Sequence, residues 1–122
     1  MTISNYAELA FLNTLRATSF SVTTCYLQLH TADPGEAGTT SVATNTVRQS
    51  VAFSAASAGA MASSATVTWT SVSATETYSH WSMWDVVTAG AGNCLWSGAL
   101  SSSAAVTTGD TFQITALTLT LD

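Results

Sequence analysis

The sequence predicts a mainly β protein: a single antiparallel β-sandwich or small barrel with one N-terminal α-helix. Short segments alternate apolar and polar residues with a period of two, and they are rich in Thr, Val and aromatic residues. Glycine-containing turns separate them. Only in the N-terminal segment do apolar residues recur at the spacing of a helix. We expect all 122 residues to form one domain, with the helix at 4–17 and the sandwich at 21–122.

The N-terminal segment has the signals of an amphipathic helix. Ser4 or Asn5 can cap it, and Glu8 lies three residues after Asn5, as in a capping box. An apolar face recurs at helical spacing; its members are Ala7, Leu9, Phe11, Leu12 and Leu15. Because so short a helix is only marginally stable alone, we expect it to dock on another surface.

Period-two alternation marks six later segments as strands. In the first of them, Cys25, Leu27 and Leu29 fall on one face, while Gln28 and His30 fall on the other. The remaining predicted strands lie at 47–53, 67–69, 78–85, 95–100 and 111–121. The Ala- and Ser-rich stretch 52–64 offers little side chain to bury, so we expect a loop or a strand end there.

The composition excludes several function classes. Charged residues make up 7% of the chain; there is no lysine, and two arginines face seven carboxylates, for a net charge of −5. Two cations cannot neutralise many phosphates, so we expect no binding to nucleic acid and none to an anionic membrane surface. No segment has the features of a secretory signal or a membrane span, and we expect synthesis in the cytoplasm.

No catalytic, metal-binding or cofactor-binding motif is found in the sequence. His30 and His80 lie at no spacing known for metal ligands, and no phosphate-binding glycine motif is present. Cys25 and Cys94 are expected to be buried thiols, although a disulfide between them is left open. We therefore expect neither enzyme activity nor a cofactor.

Aromatic residues are concentrated in the segment 78–85. Alternate residues of a regular strand face opposite sides, so Trp81 and Trp84 would lie on different faces, with Tyr78 and His80 beside Trp84. One tryptophan can fill the core. The other must be covered by a second layer of the same chain, by the helix or by a neighbouring subunit, or else stay exposed.

The scarcity of charge also points to assembly. Edge strands are normally guarded by charged side chains, especially lysine, and this chain has almost none. A surface of Ser, Thr and Ala does not repel a partner and loses little side-chain entropy when it is covered. The composition therefore favours permanent contact with other copies or with a larger lattice.

The segment 27–39, LQLHTADPGEAGT, resembles a signature of small virion structural proteins of tailed bacteriophages, often described as tail-fibre or capsid decoration proteins. In that family a strand ending in Leu-His-Thr enters an Asp-Pro-Gly turn and a glycine loop, and an arginine follows; Arg48 is the matching residue here. Further segments resemble the family's aromatic strand, closing hairpin and final strand; they are 79–85, 97–100, 106–111 and 117–122.

The resemblance implies a non-enzymatic structural protein of the virion, made in the host cytoplasm. We expect a capsid decoration or cement protein that binds the assembled shell as a homo-oligomer, such as a trimer, with the major capsid protein or tail proteins as partners. Multivalent attachment would strengthen modest contacts. Two alternatives are kept. One is a tail or tail-fibre component; the other is a host-glycan-binding β-module in which Trp81 or Trp84 stacks on a sugar and Asp85 forms hydrogen bonds to it.

The predicted interface centres on the Asp-Pro-Gly segment and the aromatic strand. Pro at the second and Gly at the third turn position favour a type II turn, and Asp33 can accept bonds from nearby backbone N–H groups. Arg48 is expected to pair with Asp33, Glu36 or a carboxylate of another copy, which would tie the loop to the next strand or to a neighbour. The interface candidates are Asp33, Pro34, Glu36, Arg48, Trp81, Trp84 and Asp85.

Overall fold

The computed structural model describes residues 1–121 and, within them, contains one helix and nine strands. The helix α1 is Asn5–Thr14. The strands are β1 (Thr2–Ile3), β2 (Cys25–His30), β3 (Gln49–Val51), β4 (Ala60–Ala62), β5 (Val67–Trp69), β6 (Glu76–Trp84), β7 (Cys94–Val106), β8 (Phe112–Ile114) and β9 (Thr118–Thr120). The mainly β fold class with an N-terminal helix is therefore confirmed.

The strands form three antiparallel sheets. The largest has five strands in the order β1-β7-β6-β2-β3, and two small sheets pair β4 with β9 and β5 with β8. Within residues 1–121 the strands do not close into a barrel, so the sandwich is the form that agrees with the structure. That the whole chain is one domain stays a prediction. No helix in the described residues is long and apolar enough to cross a membrane.

The core lies on one face of the five-stranded sheet. Leu27 stands opposite Met83 and Leu29 opposite Trp81 in the β2–β6 register, so four large apolar side chains adjoin on this face. They form one buried cluster with residues of the small sheets, among them Trp69. The Trp69 indole N–H also donates to the Val47 carbonyl at 2.8 Å, which links β5 to the edge of the large sheet.

Strand β6 is irregular, which changes the prediction for Tyr78. The β6–β7 register shifts between Tyr78 and His80, and again between Met83 and Trp84. Tyr78 therefore joins the core cluster together with Trp81, and its ring lies 5.1 Å from that of Phe112. The regular alternation that placed Tyr78 beside His80 and Trp84 is wrong because a bulge reverses the faces of a strand.

The helix begins as predicted but ends earlier. Ser4 is the N-cap, and its Oγ accepts a hydrogen bond from the Ala7 N–H at 3.1 Å. The helix stops at Thr14, before the predicted bound at residue 17, and a turn follows in which Ala17 has a φ of 61°. That left-handed conformation cannot continue an α-helix.

The helix docks through only part of the predicted apolar face. Ala7 is fully buried and Phe11 packs on Trp96, whereas Leu9, Leu12 and Leu15 lie on the solvent side. The orientation is imposed at the N-cap, where the Ser4 N–H donates to the Leu95 carbonyl and its hydroxyl to the Cys94 carbonyl. With the cap fixed on β7, the small Ala7 allows the helix to approach the sheet.

One central segment and one C-terminal segment also differ from the prediction. The stretch 52–64, expected to be a loop or strand end, contains β4, which pairs with β9. The predicted strand 111–121 is divided between β8 and β9, which belong to different sheets. Asp122, the last residue of the segment that resembles the family's final strand, lies outside the described residues.

Candidate functional site

The face of the five-stranded sheet opposite the core is polar and buried. We call it the polar face and define it by Gln28, His30, Arg48, Ser82 and Trp84. Gln28 stands opposite Ser82 in the β2–β6 register. None of the five residues exceeds 6% exposure. Buried polar groups are destabilising unless they are hydrogen-bonded, so each of them requires a partner.

Ser82 is the centre of a hydrogen-bonded chain on this face. Its Oγ lies 2.7 Å from His30 Nε2 and 2.7 Å from Trp84 Nε1, which donates to it. His30 Nδ1 lies 2.8 Å from the Thr40 carbonyl. Because a carbonyl only accepts, His30 must carry its proton on Nδ1, and Ser82 donates its hydroxyl proton to Nε2. Both ring nitrogens, the hydroxyl and the indole N–H are thereby satisfied.

Burial of His30 favours its neutral form, which these hydrogen bonds accommodate. Burial lowers the pKa of His30, although the nearby backbone groups of Thr40 and Ser41 oppose that shift. The electrostatic effect of Arg48 lowers it further. A proton on Nε2 would reverse the bond to Ser82, and the Ser82 hydroxyl proton would then need another acceptor.

Arg48 binds neutral oxygens on two sides of the polar face. Its Nε donates to Gln28 Oε1 at 2.8 Å, and one terminal nitrogen donates to the carbonyls of Val86 and Ala91 at 2.9 and 3.0 Å. The guanidinium carbon lies 4.0 Å from the centroid of the Trp84 ring, a cation–π contact. Burial lowers the pKa of Arg48. These bonds differ from the predicted pairing with Asp33 or Glu36.

The Asp-Pro-Gly segment folds over Trp84 as a closed loop. Asp33 Oδ1 accepts from the Gly35 N–H at 2.9 Å, as predicted for this turn. Gly35 has a φ of 70°, which a type II turn requires at its third position. The buried Pro34 closes the loop, since its carbonyl accepts from the Thr40 N–H at 3.2 Å and the Thr40 hydroxyl at 2.8 Å.

Gly38 brings this loop into contact with the polar face. A Cβ at this position would lie 2.6 Å from Cys94 Sγ and 2.9 Å from a ring carbon of Trp84. Its φ of 69° also favours glycine. The loop therefore covers Trp84 from the side opposite the sheet only because residue 38 has no side chain.

Asp85 closes the second loop that covers the polar face. Its two carboxylate oxygens accept from the Asn93 backbone N–H at 2.7 Å and from the Asn93 side-chain amide at 2.8 Å. Arg48 binds the carbonyls within this same loop. Asp85 and Arg48 thus hold one loop from opposite sides without a direct hydrogen bond between them.

The structure brings together four of the seven predicted interface residues. Pro34, Arg48, Trp84 and Asp85 converge around the covered end of the polar face, whereas Trp81 lies in the core on the other side of the sheet. Both tryptophans are covered by this chain itself, which is the two-sided arrangement among the alternatives considered. Of the predicted set, only Asp33 and Glu36 of the first loop are exposed to solvent.

Sequence reasoning missed the buried hydrogen bonds of Gln28, His30 and Ser82. The alternation in β2 did place Gln28 and His30 together, opposite two leucines, and that pattern was the available signal. The cover that buries them comes from the loop that follows β2 and from the loop between β6 and β7, and a local pattern does not show that either loop folds back over this face. Alternation alone is equally typical of a face that lies in water.

The two cysteines and the possible metal ligands form no reactive site in this geometry. Cys25 and Cys94 are free thiols, and burial raises the pKa of Cys94 to about 11. A thiol with so high a pKa is a poor nucleophile at neutral pH. Among residues 1–121, no three His, Cys, Asp or Glu side chains lie close enough together to hold a metal ion.

The fold is that of a mainly β protein in which buried hydrogen bonds hold two loops in place. A family model described as podophage GP4 fiber I protein gp80 matches residues 2–122, and the chain belongs to this family. The resemblance to virion structural proteins of tailed bacteriophages is thereby confirmed. Among curated proteins no match is found.

Proposed function

We propose that the protein is a tail-fibre component of a podophage virion, with a structural and non-enzymatic role. The observation that carries the proposal is the family match, which extends over residues 2–122 and is to a fibre protein. The capsid decoration role expected from the composition has no comparable support. The tail component, kept as the alternative, is the better-supported function.

The architecture suits a rigid structural module. Two loops lie over the polar face and are held by side chains buried beneath them, chiefly Arg48 and Trp84. Anchored loops lose little conformational entropy when a partner covers them. The exposed Asp33 and Glu36, at the rim of the first loop, remain candidates for contact with other virion proteins.

The structure argues against the alternative in which Trp81 or Trp84 stacks on a glycan. A sugar stacks on an exposed aromatic face, but these two residues are 2% and 6% exposed. One face of Trp84 is also occupied by the Arg48 guanidinium. With so little surface exposed, neither ring offers an open face on which a sugar could stack.

Location and copy number in the intact particle test the proposal. Purified virions would be labelled with gold-conjugated antibodies against this protein, and its copies would be counted against the major capsid protein by quantitative mass spectrometry. We expect label at the tail and a small copy number. Particles that lack the gene product, restored by the same gene supplied in trans, provide the matched control.

Each other outcome contradicts the proposal. Label spread over the head with hundreds of copies would assign the protein to capsid decoration. Absence from purified particles would remove it from the virion altogether. Particles without the gene product that keep normal tails and adsorb normally would show that it is no necessary fibre component.

A further inference from the structure

A cleft lies between the start of α1 and the two loops that cover the polar face. Its volume is about 350 Å³, at the lower end of the range for small-molecule sites. The buried Trp84 forms part of its floor. The side chains in its lining that can contact a polar ligand are those of Asn5, Tyr6, Glu36, Thr39 and Asn93. The fold therefore brings polar and aromatic groups from three separate segments to one place.

The walls of this cleft are held in place by the chain itself. The start of α1 is fixed because the backbone N–H and the hydroxyl of Ser4 both donate to carbonyls of β7. The first loop is closed by the bonds from Thr40 to the Pro34 carbonyl, and the second by the bonds from Asn93 to Asp85. Binding between walls that are already ordered costs little conformational entropy.

The hydrogen-bonding groups of the lining suit a ligand with several hydroxyls. The exposed Glu36 supplies a carboxylate that accepts, and the exposed Asn5 supplies an amide that donates and accepts. Thr39 adds a hydroxyl, and Asn93 adds its amide oxygen, because its amide nitrogen donates to Asp85. A saccharide carries many hydroxyls on a small ring, and each of them can both donate and accept.

Tyr6 adds an exposed aromatic surface to the cleft. Its side chain is 42% exposed. Its ring meets that of Phe20 at a centroid distance of 6.3 Å and an angle of 67°, an edge contact that supports the ring and leaves part of it in solvent. An exposed aromatic ring can pack against the C–H face of a sugar. The stacking group is thus Tyr6, and not one of the two buried tryptophans considered above.

The charge of the cleft favours a neutral ligand. Of the residues that line it, none is Arg, Lys or His, and Glu36 alone carries a carboxylate. The whole chain has a net charge of −5. An acidic sugar would meet this negative charge without a cationic partner. A basic side chain of a protein partner would be attracted by Glu36, but it would leave the amides of the cleft unused.

We propose that this cleft binds a neutral saccharide of one or two sugar units. Tyr6 packs against the sugar ring, while Glu36 and the two asparagines bind its hydroxyls. We expect a Kd on the order of millimolar, because the cleft is small and offers a single aromatic surface. The proposal concerns what the cleft binds and does not depend on where the protein lies in the virion. Its failure would therefore leave the tail assignment untouched.

The first test is an NMR titration of the isotope-labelled full chain. The probes are glucose, galactose, N-acetylglucosamine, lactose, maltose and chitobiose, each added to ~10 mM, tenfold above a millimolar Kd. Sialyllactose and N-acetylarginine amide serve as the anionic and cationic comparisons. We expect at least one neutral saccharide to shift the amide resonances of residues that line the cleft, including the side-chain amide of Asn93. The anionic and cationic probes should bind at least tenfold more weakly than that saccharide.

Substitutions then test the roles of two side chains. Tyr6→Ala should raise the Kd about tenfold, whereas Tyr6→Phe, which keeps the ring, should raise it less than about threefold. Glu36→Gln should raise it about fivefold, because a charged acceptor forms the stronger hydrogen bond. The matched control is Asp33→Asn, which makes the same change of charge in the same loop outside the cleft and should leave the Kd unchanged. All four substitutions are at exposed positions, so the melting temperature should stay close to that of the wild type.

Four outcomes would overturn the proposal. The first is that no neutral saccharide binds, and the second is that only sialyllactose or the arginine probe binds. The third is that the shifted resonances belong to residues outside the cleft. The fourth is that Glu36→Gln keeps the wild-type Kd, a result that can be read even if Tyr6→Ala disturbs the helix.

Discussion

Both faces of the five-stranded sheet are buried, but by opposite chemistry. On the core face, Leu29 and Trp81 pack with the small sheets through apolar contacts, which have no required direction. On the polar face, His30 and Ser82 are covered by loops, and their side-chain polar atoms are all hydrogen-bonded. The core face should therefore respond to lost volume, whereas the polar face should respond to the loss of a single atom.

The two faces also depend on the rest of the chain in different ways. The core face is completed by strands, whose side-chain alternation is a local property. The polar face is completed by two loops, which reach it because Gly38 fits against Trp84 and because Arg48 binds carbonyls of the second loop. Adjacent residues of β6 point to the two faces, so neighbouring substitutions can test them separately.

The largest effect is expected on the core face. Trp81→Ala should reduce the free energy of unfolding by ~4 kcal/mol, because it leaves a large cavity in the buried cluster. Urea denaturation monitored by circular dichroism measures this change. Trp81→Phe, which keeps most of the apolar volume, should be milder. A loss below ~1 kcal/mol for the alanine variant would show that this face contributes little to stability.

Arg48→Ala should be the most disruptive change on the polar face. It leaves Gln28 and two loop carbonyls without their donor and uncovers Trp84, so we expect a loss of ~3 kcal/mol and a lower melting temperature. Arg16→Ala is the matched control, because Arg16 is exposed; it should change stability by less than ~0.5 kcal/mol. Equal effects of the two substitutions would contradict the role given to Arg48.

Ser82→Ala removes a single oxygen atom next to Trp81. It leaves Trp84 Nε1 without an acceptor and His30 Nε2 without a donor, and we expect a loss of ~2 kcal/mol. Ser101→Ala, at an exposed position of β7, is the control and should be close to neutral. If both variants melt like the wild type, the hydrogen-bonded chain does not stabilise the fold.

The smallest expected effect is a change in the free energy of unfolding with pH. It arises from the polar face and not from the core face. Burial lowers the pKa of His30 in the folded state, so below about pH 6.5, the usual value for histidine, the unfolded chain binds a proton that the folded chain excludes. The free energy of unfolding should therefore fall as the pH drops from 7.5 towards 5. The measurement is urea denaturation at several pH values. His30→Asn should flatten this dependence.

Much of the fold could be predicted because it rests on local interactions. The Ser4 cap, the alternation in β2 and the Asp33–Gly35 turn all depend on residues a few positions apart. The family resemblance through segment 27–39 was readable for the same reason. Most of the candidate site could not be predicted in this way, because the partners of Arg48 lie 20 or more positions away.

The sequence by itself determined the fold class, the helix start and the segments that become most of the strands. Tertiary structure decided that Tyr78 enters the core, that the leucines of α1 face solvent, and that Arg48 binds loop carbonyls rather than Asp33. The physical reason is that periodicity and turn chemistry act over a few residues. A register shift, a docking orientation or the cover over a polar face depends on which distant segments meet.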